Sequence, residues 1–136
     1  MNYKFHKDGS QPKNGEIFVF GSNLSGIHGA GAARAAAALF GAEMGKGVGY
    51  TGNCYAIPTK SWHIASTLPV ERIKSYVDAF KKAAENVRGM DGEVLQYFIT
   101  RIGCGLAGYD DKDIAPLFKG CPENCSFPEE WKEFVL

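Results

Sequence analysis

The sequence has no excess of charge of either sign, no long apolar run and no cysteine framework, and each absence excludes a class of function. Fifteen basic residues stand against fifteen acidic ones. The broad positive surface that grips duplex nucleic acid is therefore not evident, although a local basic patch is compatible with this balance. No apolar run approaches the roughly 20 residues that span a bilayer, and Met1-Asn2-Tyr3-Lys4-Phe5-His6-Lys7-Asp8 carries no apolar signal-peptide segment. A cytoplasmic protein with no membrane partner is expected. The four cysteines lie at 54, 104, 121 and 125; only Cys121 and Cys125 are close in sequence, and a metal site there would still need two more ligands near them. No metal and no cofactor are expected; the thiols read as free, with Cys54 and Cys104 packed as small hydrophobes.

What the chain does have is a 45% hydrophobic composition over 136 residues. A chain of this length buries about two-thirds of its unfolded surface as a single domain. One domain over residues 1–136 is expected. Residues 1–15 are polar, broken by Gly9, Pro12 and Gly15, and read as an irregular arm.

The informative stretch is Ile17 to Arg34. Glu16 to Phe20 reads as a buried strand that feeds a loop carrying Gly21, Ser22, Asn23, Gly26, His28, Gly29, Ala30 and Gly31. A helix from about Gly29 to Phe40 follows, rich in alanine, with Gly41 just past its end. A strand, a glycine-rich turn and a helix N-terminus together present free N–H groups and a positive dipole end, which is an anion site. The glycines at 41, 45, 47, 49 and 52 read as a flexible loop. Gly41-Ala42-Glu43-Met44-Gly45-Lys46-Gly47 is one residue short of a phosphate-binding loop of the nucleotide triphosphatase kind, and Gly47 replaces its Ser/Thr, so that reading is rejected.

Cys54 to Pro58 forms a second strand, running into Thr59, Lys60, Ser61, Trp62 and His63. The carboxyl edge of strands is where open α/β sheets bind ligands. Val70, Ile73, Val77, Phe80, Ala84 and Val87 recur at steps of three or four and predict an amphipathic helix starting near Thr67 to Pro69. Glu93 to Thr100 reads as the strongest strand. It leads into a second glycine-rich loop, Arg101-Ile102-Gly103-Cys104-Gly105-Leu106-Ala107-Gly108. Asp110 or Asp111 caps a short helix reaching Phe118, Cys125 to Phe127 reads as an edge strand, and Pro128 to Phe134 as a closing helical turn. Strands alternating with helices predict a mostly parallel, helix-covered sheet. Two glycine loops converging with Lys60, Trp62 and His63 point to a diphosphate-bearing ligand, with Asn23 and His28 free to bond a ribose, a phosphate or a water.

These stretches resemble the macrodomains. Gly21-Ser22-Asn23 with Gly26 and Gly29-Ala30-Gly31-Ala32-Ala33 looks like their first ligand loop. Ala56-Ile57-Pro58-Thr59-Lys60 resembles the strand end of the group that removes ADP-ribose from glutamate or DNA bases. Gly103-Cys104-Gly105-Leu106, with Ala107 and Gly108, resembles that group's second phosphate loop and is the most specific match. The resemblance covers residues 16 to 120 in order. It implies a three-layer α/β/α sandwich with a mostly parallel mixed sheet, binding ADP-ribose or an ADP-ribosylated substrate whose acceptor is a protein or a nucleic acid. It further implies that Lys60 acts at the anomeric carbon, directly or through water, that Asn23 and His28 orient the distal ribose, and that both loops hold the diphosphate. Two departures stand out: Ala107 lies where protein-directed members carry an aspartate, and the aspartate that contacts adenine in many macrodomains has no clear counterpart.

Plainer readings exist for each residue. Lys60 serves equally as a phosphate counter-charge, His28 and His63 as structural groups, Trp62 as a packed side chain, and Asp110 and Asp111 as helix caps. Besides hydrolysis of an ADP-ribosyl linkage, the sequence accommodates a non-enzymatic binder of ADP-ribose or an NAD-derived nucleotide, and a phosphatase acting on ADP-ribose 1″-phosphate. No heptad or apolar stripe points to a particular oligomer.

Overall fold

The computed structural model describes residues 2–63 and 66–136; Met1, the first residue of the expected arm, lies outside them. In chain order the elements are β1 (Lys4–His6), β2 (Ile17–Asn23), α1 (Gly31–Leu39), β3 (Gly49–Thr51), β4 (Cys54–Lys60), α2 (Val70–Asn86), β5 (Tyr97–Ile99), α3 (Asp111–Ile114), β6 (Cys125–Pro128) and α4 (Lys132–Val135). Tight 3-10 turns at Ala115–Phe118 and Glu129–Trp131 follow α3 and precede α4. The fold is α/β, with a mixed sheet of six strands in the order β1-β6-β5-β2-β4-β3. Every pairing is parallel except that of β3 with β4.

Alternation along the central strands sorts the core into two layers. Val19, Tyr55, Ile57, Tyr97 and Ile99 face α2, α3 and the C-terminal turns, where Ile73, Val77, Phe80, Phe118 and Trp131 complete a large core. Phe18, Phe20, Cys54, Ala56 and Phe98 face α1, meeting Ala33 and Ala36. Alanine lets α1 lie close to the sheet, whereas α2 presents a bulky stripe. Ile73, Val77, Phe80 and Ala84 are buried along it, and each large apolar side chain of such a stripe contributes roughly 1.5–3 kcal/mol. Val87, at its end, remains 37% exposed. Pro69 precedes the helix at φ −66°, and its carbonyl accepts the Ile73 N–H at 3.2 Å.

The elements depart from the sequence-based expectations in several places, each for a non-local reason. Lys4–His6 in the arm forms an edge strand parallel to β6, so Cys125–Pro128 lies inside the sheet rather than at its edge. Gly21-Ser22-Asn23 belongs to β2 rather than to the loop, because β4 runs alongside it as far as Lys60; the register shifts between Ser22 and Asn23. The expected flexible loop contains β3, and its Gly47 is packed so tightly that a Cβ there would stand 2.0 Å from the Asn23 carbonyl oxygen. Only Tyr97–Ile99 of the expected Glu93–Thr100 strand pairs as a strand. Upstream, Val94 bridges back to Arg88 and the Leu95 carbonyl accepts an N–H from the Asn124 amide at 2.8 Å.

Candidate functional site

The carboxyl ends of β2, β4 and β5 open into a cleft of about 790 Å³ that continues down the α1 side of the sheet. One wall is the loop between β2 and α1. Asn23 shapes it: the side-chain amide donates to the Ile27 carbonyl at 2.8 Å and its oxygen accepts the Ile27 N–H at 3.0 Å. Gly26, at φ +70°, packs its backbone against Gly45, whose N–H bonds the Gly26 carbonyl at 2.8 Å. The helix that follows has no side-chain cap at Ala30 and no acidic residue in its first turn. Its leading N–H groups are thus available to an anion, and Gly29 to Ala33 line the cleft.

The opposite wall is the loop after β5. Gly103 and Gly108 adopt positive φ, +79° and +83°, and the Tyr109 N–H bonds the Gly103 carbonyl at 2.9 Å. Thr67 donates to the Ala107 carbonyl at 3.2 Å and Tyr109 to the Leu68 carbonyl at 2.6 Å, which pins the loop to the start of α2. The N–H groups of Gly105, Leu106 and Ala107 have no partner among the described residues. The two walls nearly meet, since a Cβ on Gly31 would lie 4.0 Å from Leu106 Cδ1.

Two of these glycines have no explanation in the chain itself. Neither Gly29 nor Gly105 has a left-handed φ, and a Cβ on either would meet nothing within 4 Å. Both line the cleft. The backbone does not require glycine at either position, so bare backbone there leaves room for a ligand to approach closely.

Lys60 ends β4, half-buried in the lining of the cleft. The ion pairs among the described residues join Lys74 and Lys81 to Asp78, and Arg101 to Asp8 and Asp111; none neutralises Lys60. Arg101 grips Asp111 with two hydrogen bonds, at 3.0 and 2.8 Å, and reaches Asp8 at 3.2 Å. The bond to Asp111 raises the Arg101 pKa against desolvation, so the guanidinium stays charged. Burial pushes the Asp111 carboxyl up, but hydrogen bonds from Arg101, Trp131 and Cys104 outweigh it and hold the pKa below the ordinary carboxylate value. Burial and then Asp111 push the Cys104 thiol up to about 12, so at neutral pH this cleft residue is a thiol and a poor nucleophile.

The deeper part of the cleft is apolar. His6 stacks on Phe98 with ring centroids 3.7 Å apart, and Phe18 stacks on Phe40 at 4.6 Å. The His6 Nε2–H donates to the Ile99 carbonyl at 2.9 Å and Nδ1 accepts from Ser126 at 2.7 Å, which fixes the neutral tautomer. Burial lowers its pKa below the ordinary 6.5.

Of the residues singled out from sequence, the cleft brings together Gly21, Ser22, Asn23, Gly29, Ala30, Gly31, Thr59, Lys60 and Gly103 to Ala107. Ser22 donates to the Gly47 carbonyl at 2.5 Å and Thr59 to the Ser22 carbonyl at 3.3 Å, so both hold strands and loops together. His28 does not line the cleft: it is 4% exposed, packs edge-on to Phe20 and bonds the Glu43 carbonyl at 2.9 Å. Trp62 is 68% exposed outside the lining, with its carbonyl bonded by Ser25 at 2.5 Å. His63 is exposed and also outside the lining, and Gly26 and Gly108 serve turns. Asp110 precedes α3, its N–H accepted by Asp113 at 3.0 Å, whereas Asp111 anchors Arg101 rather than capping a helix.

No motif in the sequence marks a role for Arg101, Asp8, His6 or the aromatic floor. Strand alternation puts Phe18 and Phe98 on one face, but only the parallel register Phe18↔Phe98 shows them to be neighbours. No family model, no curated protein and no solved structure matches this chain.

Proposed function

We propose that the cleft binds ADP-ribose or an ADP-ribosyl group and that the chain hydrolyses the bond between that group and its acceptor. The observation that carries this reading is the pair of bare glycines, Gly29 and Gly105, on two loops that line one cleft and carry N–H groups without a partner among the described residues. An extended diphosphate accepts from several N–H groups at once and needs close backbone approach. The residues that supply these groups are those of the macrodomain resemblance.

In this reading Lys60, at the end of β4 and without an ion-pair partner among the described residues, acts at the anomeric carbon of the distal ribose. As an unprotonated amine its Nζ forms a bond to that carbon while the bond to the acceptor breaks. The acceptor departs with the electron pair and gains a proton, and water then releases ADP-ribose and restores the amine. Alternatively the amine removes a proton from the attacking water. Asn23, held by Ile27, contributes a fixed loop shape more than a free amide, and His28 acts through the loop it supports. The acceptor is a protein or nucleic-acid group. Four free thiols suit a reducing, cytoplasmic setting.

A second reading, a non-enzymatic ADP-ribose binder, draws on the isolation of Lys60. No described side chain bonds or ion-pairs with its amine, and Asn23 and His28 both bond main-chain groups. Lys60→Ala separates the two. Hydrolysis predicts that turnover of ADP-ribosylated substrate is abolished while ADP-ribose affinity changes only a few-fold; undiminished turnover would end the lysine mechanism. A wild-type chain that binds ADP-ribose and leaves every ADP-ribosylated substrate intact would establish the binder.

A further inference from the structure

We infer that residues 7–15 form a strap that closes the apolar end of the cleft through one ion pair, Asp8 to Arg101, and that the opening of this strap governs ligand exchange. Asp8, Gly9, Ser10 and Gln11 line the cleft, yet all are exposed, and from Lys7 to Gly15 only Pro12 is half-buried. The strap is fixed at both ends. Before it, His6 is held by Ser126, Ile99 and the Phe98 ring, and β1 is paired along β6. After it, the Ile17 N–H bonds the Gln96 carbonyl at 2.8 Å and β2 begins.

Between these anchors the hydrogen bonds are local. The Ser10 N–H and hydroxyl return to the Lys7 carbonyl, the Lys13 N–H donates to the Glu16 carboxylate, and the Glu16 N–H returns to the Lys13 carbonyl. Among the described residues, the one hydrogen bond or ion pair from the strap to the body is Asp8 to Arg101 at 3.2 Å. Gly9 and Gly15 adopt left-handed φ of +81° and +90° in open space, so the segment can pivot near both ends. The cation of the pair is rigid, because Arg101 is clamped by Asp111; the anion sits on the movable segment. Asp8 and Arg101 are 45% and 33% exposed, and such a pair is weak and screened by salt. It is suited to a latch that opens often, beside a floor of His6, Phe18, Phe40 and Phe98 that a flat apolar group must reach.

The strap itself stands on geometry alone; its effect on exchange rests on the ADP-ribose reading. Amide hydrogen exchange of the ligand-free chain tests the first part with Asp8→Asn, which keeps side-chain size and removes the charge. Exchange across residues 8–16 is expected to rise several-fold, with β1 and β5 unchanged, and added salt is expected to reproduce the rise in the wild type. Equal exchange in both proteins would overturn the latch. The fluorescent analogue 1,N6-etheno-ADP-ribose tests the second part: its dissociation from Asp8→Asn is expected to be several-fold faster, and an unchanged rate would overturn gating. If the wild type fails to bind this analogue, the ADP-ribose reading and its exchange step fall, while hydrogen exchange still decides the latch.

Discussion

Replacing Gly105 with alanine should make the protein slightly more stable and its ligand binding much weaker. A Cβ there meets nothing within 4 Å and the backbone is outside the left-handed region, so the substitution acts on stability mainly by restricting the unfolded chain. That effect is about 0.4–1 kcal/mol in favour of the native state, a rise in Tm of up to about 4 °C for a domain of this size. In the bound state the new methyl group occupies the space left for the ligand, and crowding of this kind costs about 1–3 kcal/mol. The dissociation constant should then rise by roughly 5- to 150-fold. Gly29→Ala should behave alike. Gly47→Ala supplies the contrast, since its Cβ would collide with the Asn23 carbonyl at 2.0 Å and should destabilise by about 3 kcal/mol or more. The assay is a thermal melt of each free variant paired with calorimetric titration of ADP-ribose. A lower Tm for Gly105→Ala would mean that the glycine serves the backbone. Unchanged affinity in both Gly29→Ala and Gly105→Ala would mean that no ligand approaches the loops there, and the reasoning would fail.

Phe80, wholly buried between α2 and the sheet with Tyr55, Tyr97 and Phe118 around it, should cost about 3–5 kcal/mol when cut to alanine, read by denaturant unfolding. His6 has a folded-state pKa below its ordinary 6.5; the unfolded chain therefore binds more protons between those values, and stability should fall as pH drops below about 6.5. His6→Asn should flatten that part of the profile in calorimetric melts. Under the proposed hydrolysis, Cys104→Ser should match the wild type in turnover of ADP-ribosylated substrate, because a thiol pushed up to about 12 is not the nucleophile; loss of turnover with intact binding would reverse that assignment.

The layers, and most of the wall of the cleft, were legible because they rest on short-range signals. The Ile73-Val77-Phe80-Ala84 stripe reports α2 directly, and the unbroken apolar run Ile17 to Phe20 reports a strand buried on both faces. Glycines that turn the chain, such as Gly103 and Gly108, sit where composition placed a loop. What escaped depended on partners far along the chain. Lys4–His6 is a strand only because β6 lies beside it, and β3 hides among glycines whose packing against Asn23 and Gly41 is invisible locally. Glu93 to Gln96 adjoins the apolar run of β5, yet the carbonyls of Glu93 and Leu95 go to the Gly89 N–H and the Asn124 amide rather than to a neighbouring strand. In the site, residue type outran role. Asn23 ends β2 and His28 lies in the loop that follows, and the hydrogen bonds of both hold that loop's shape; Asp111, which looks like a cap, is the anchor of Arg101. The Asp8–Arg101 contact joins residues 93 apart in sequence, and no motif announces it.

The most direct measurement is calorimetric titration of ADP-ribose into the wild-type protein, with ADP and AMP as controls. The account predicts saturable binding that is clearly tighter for ADP-ribose than for either control, because the facing loops and Lys60 engage the diphosphate and the distal ribose together. No heat with ADP-ribose, or equal affinity for all three nucleotides, would contradict it.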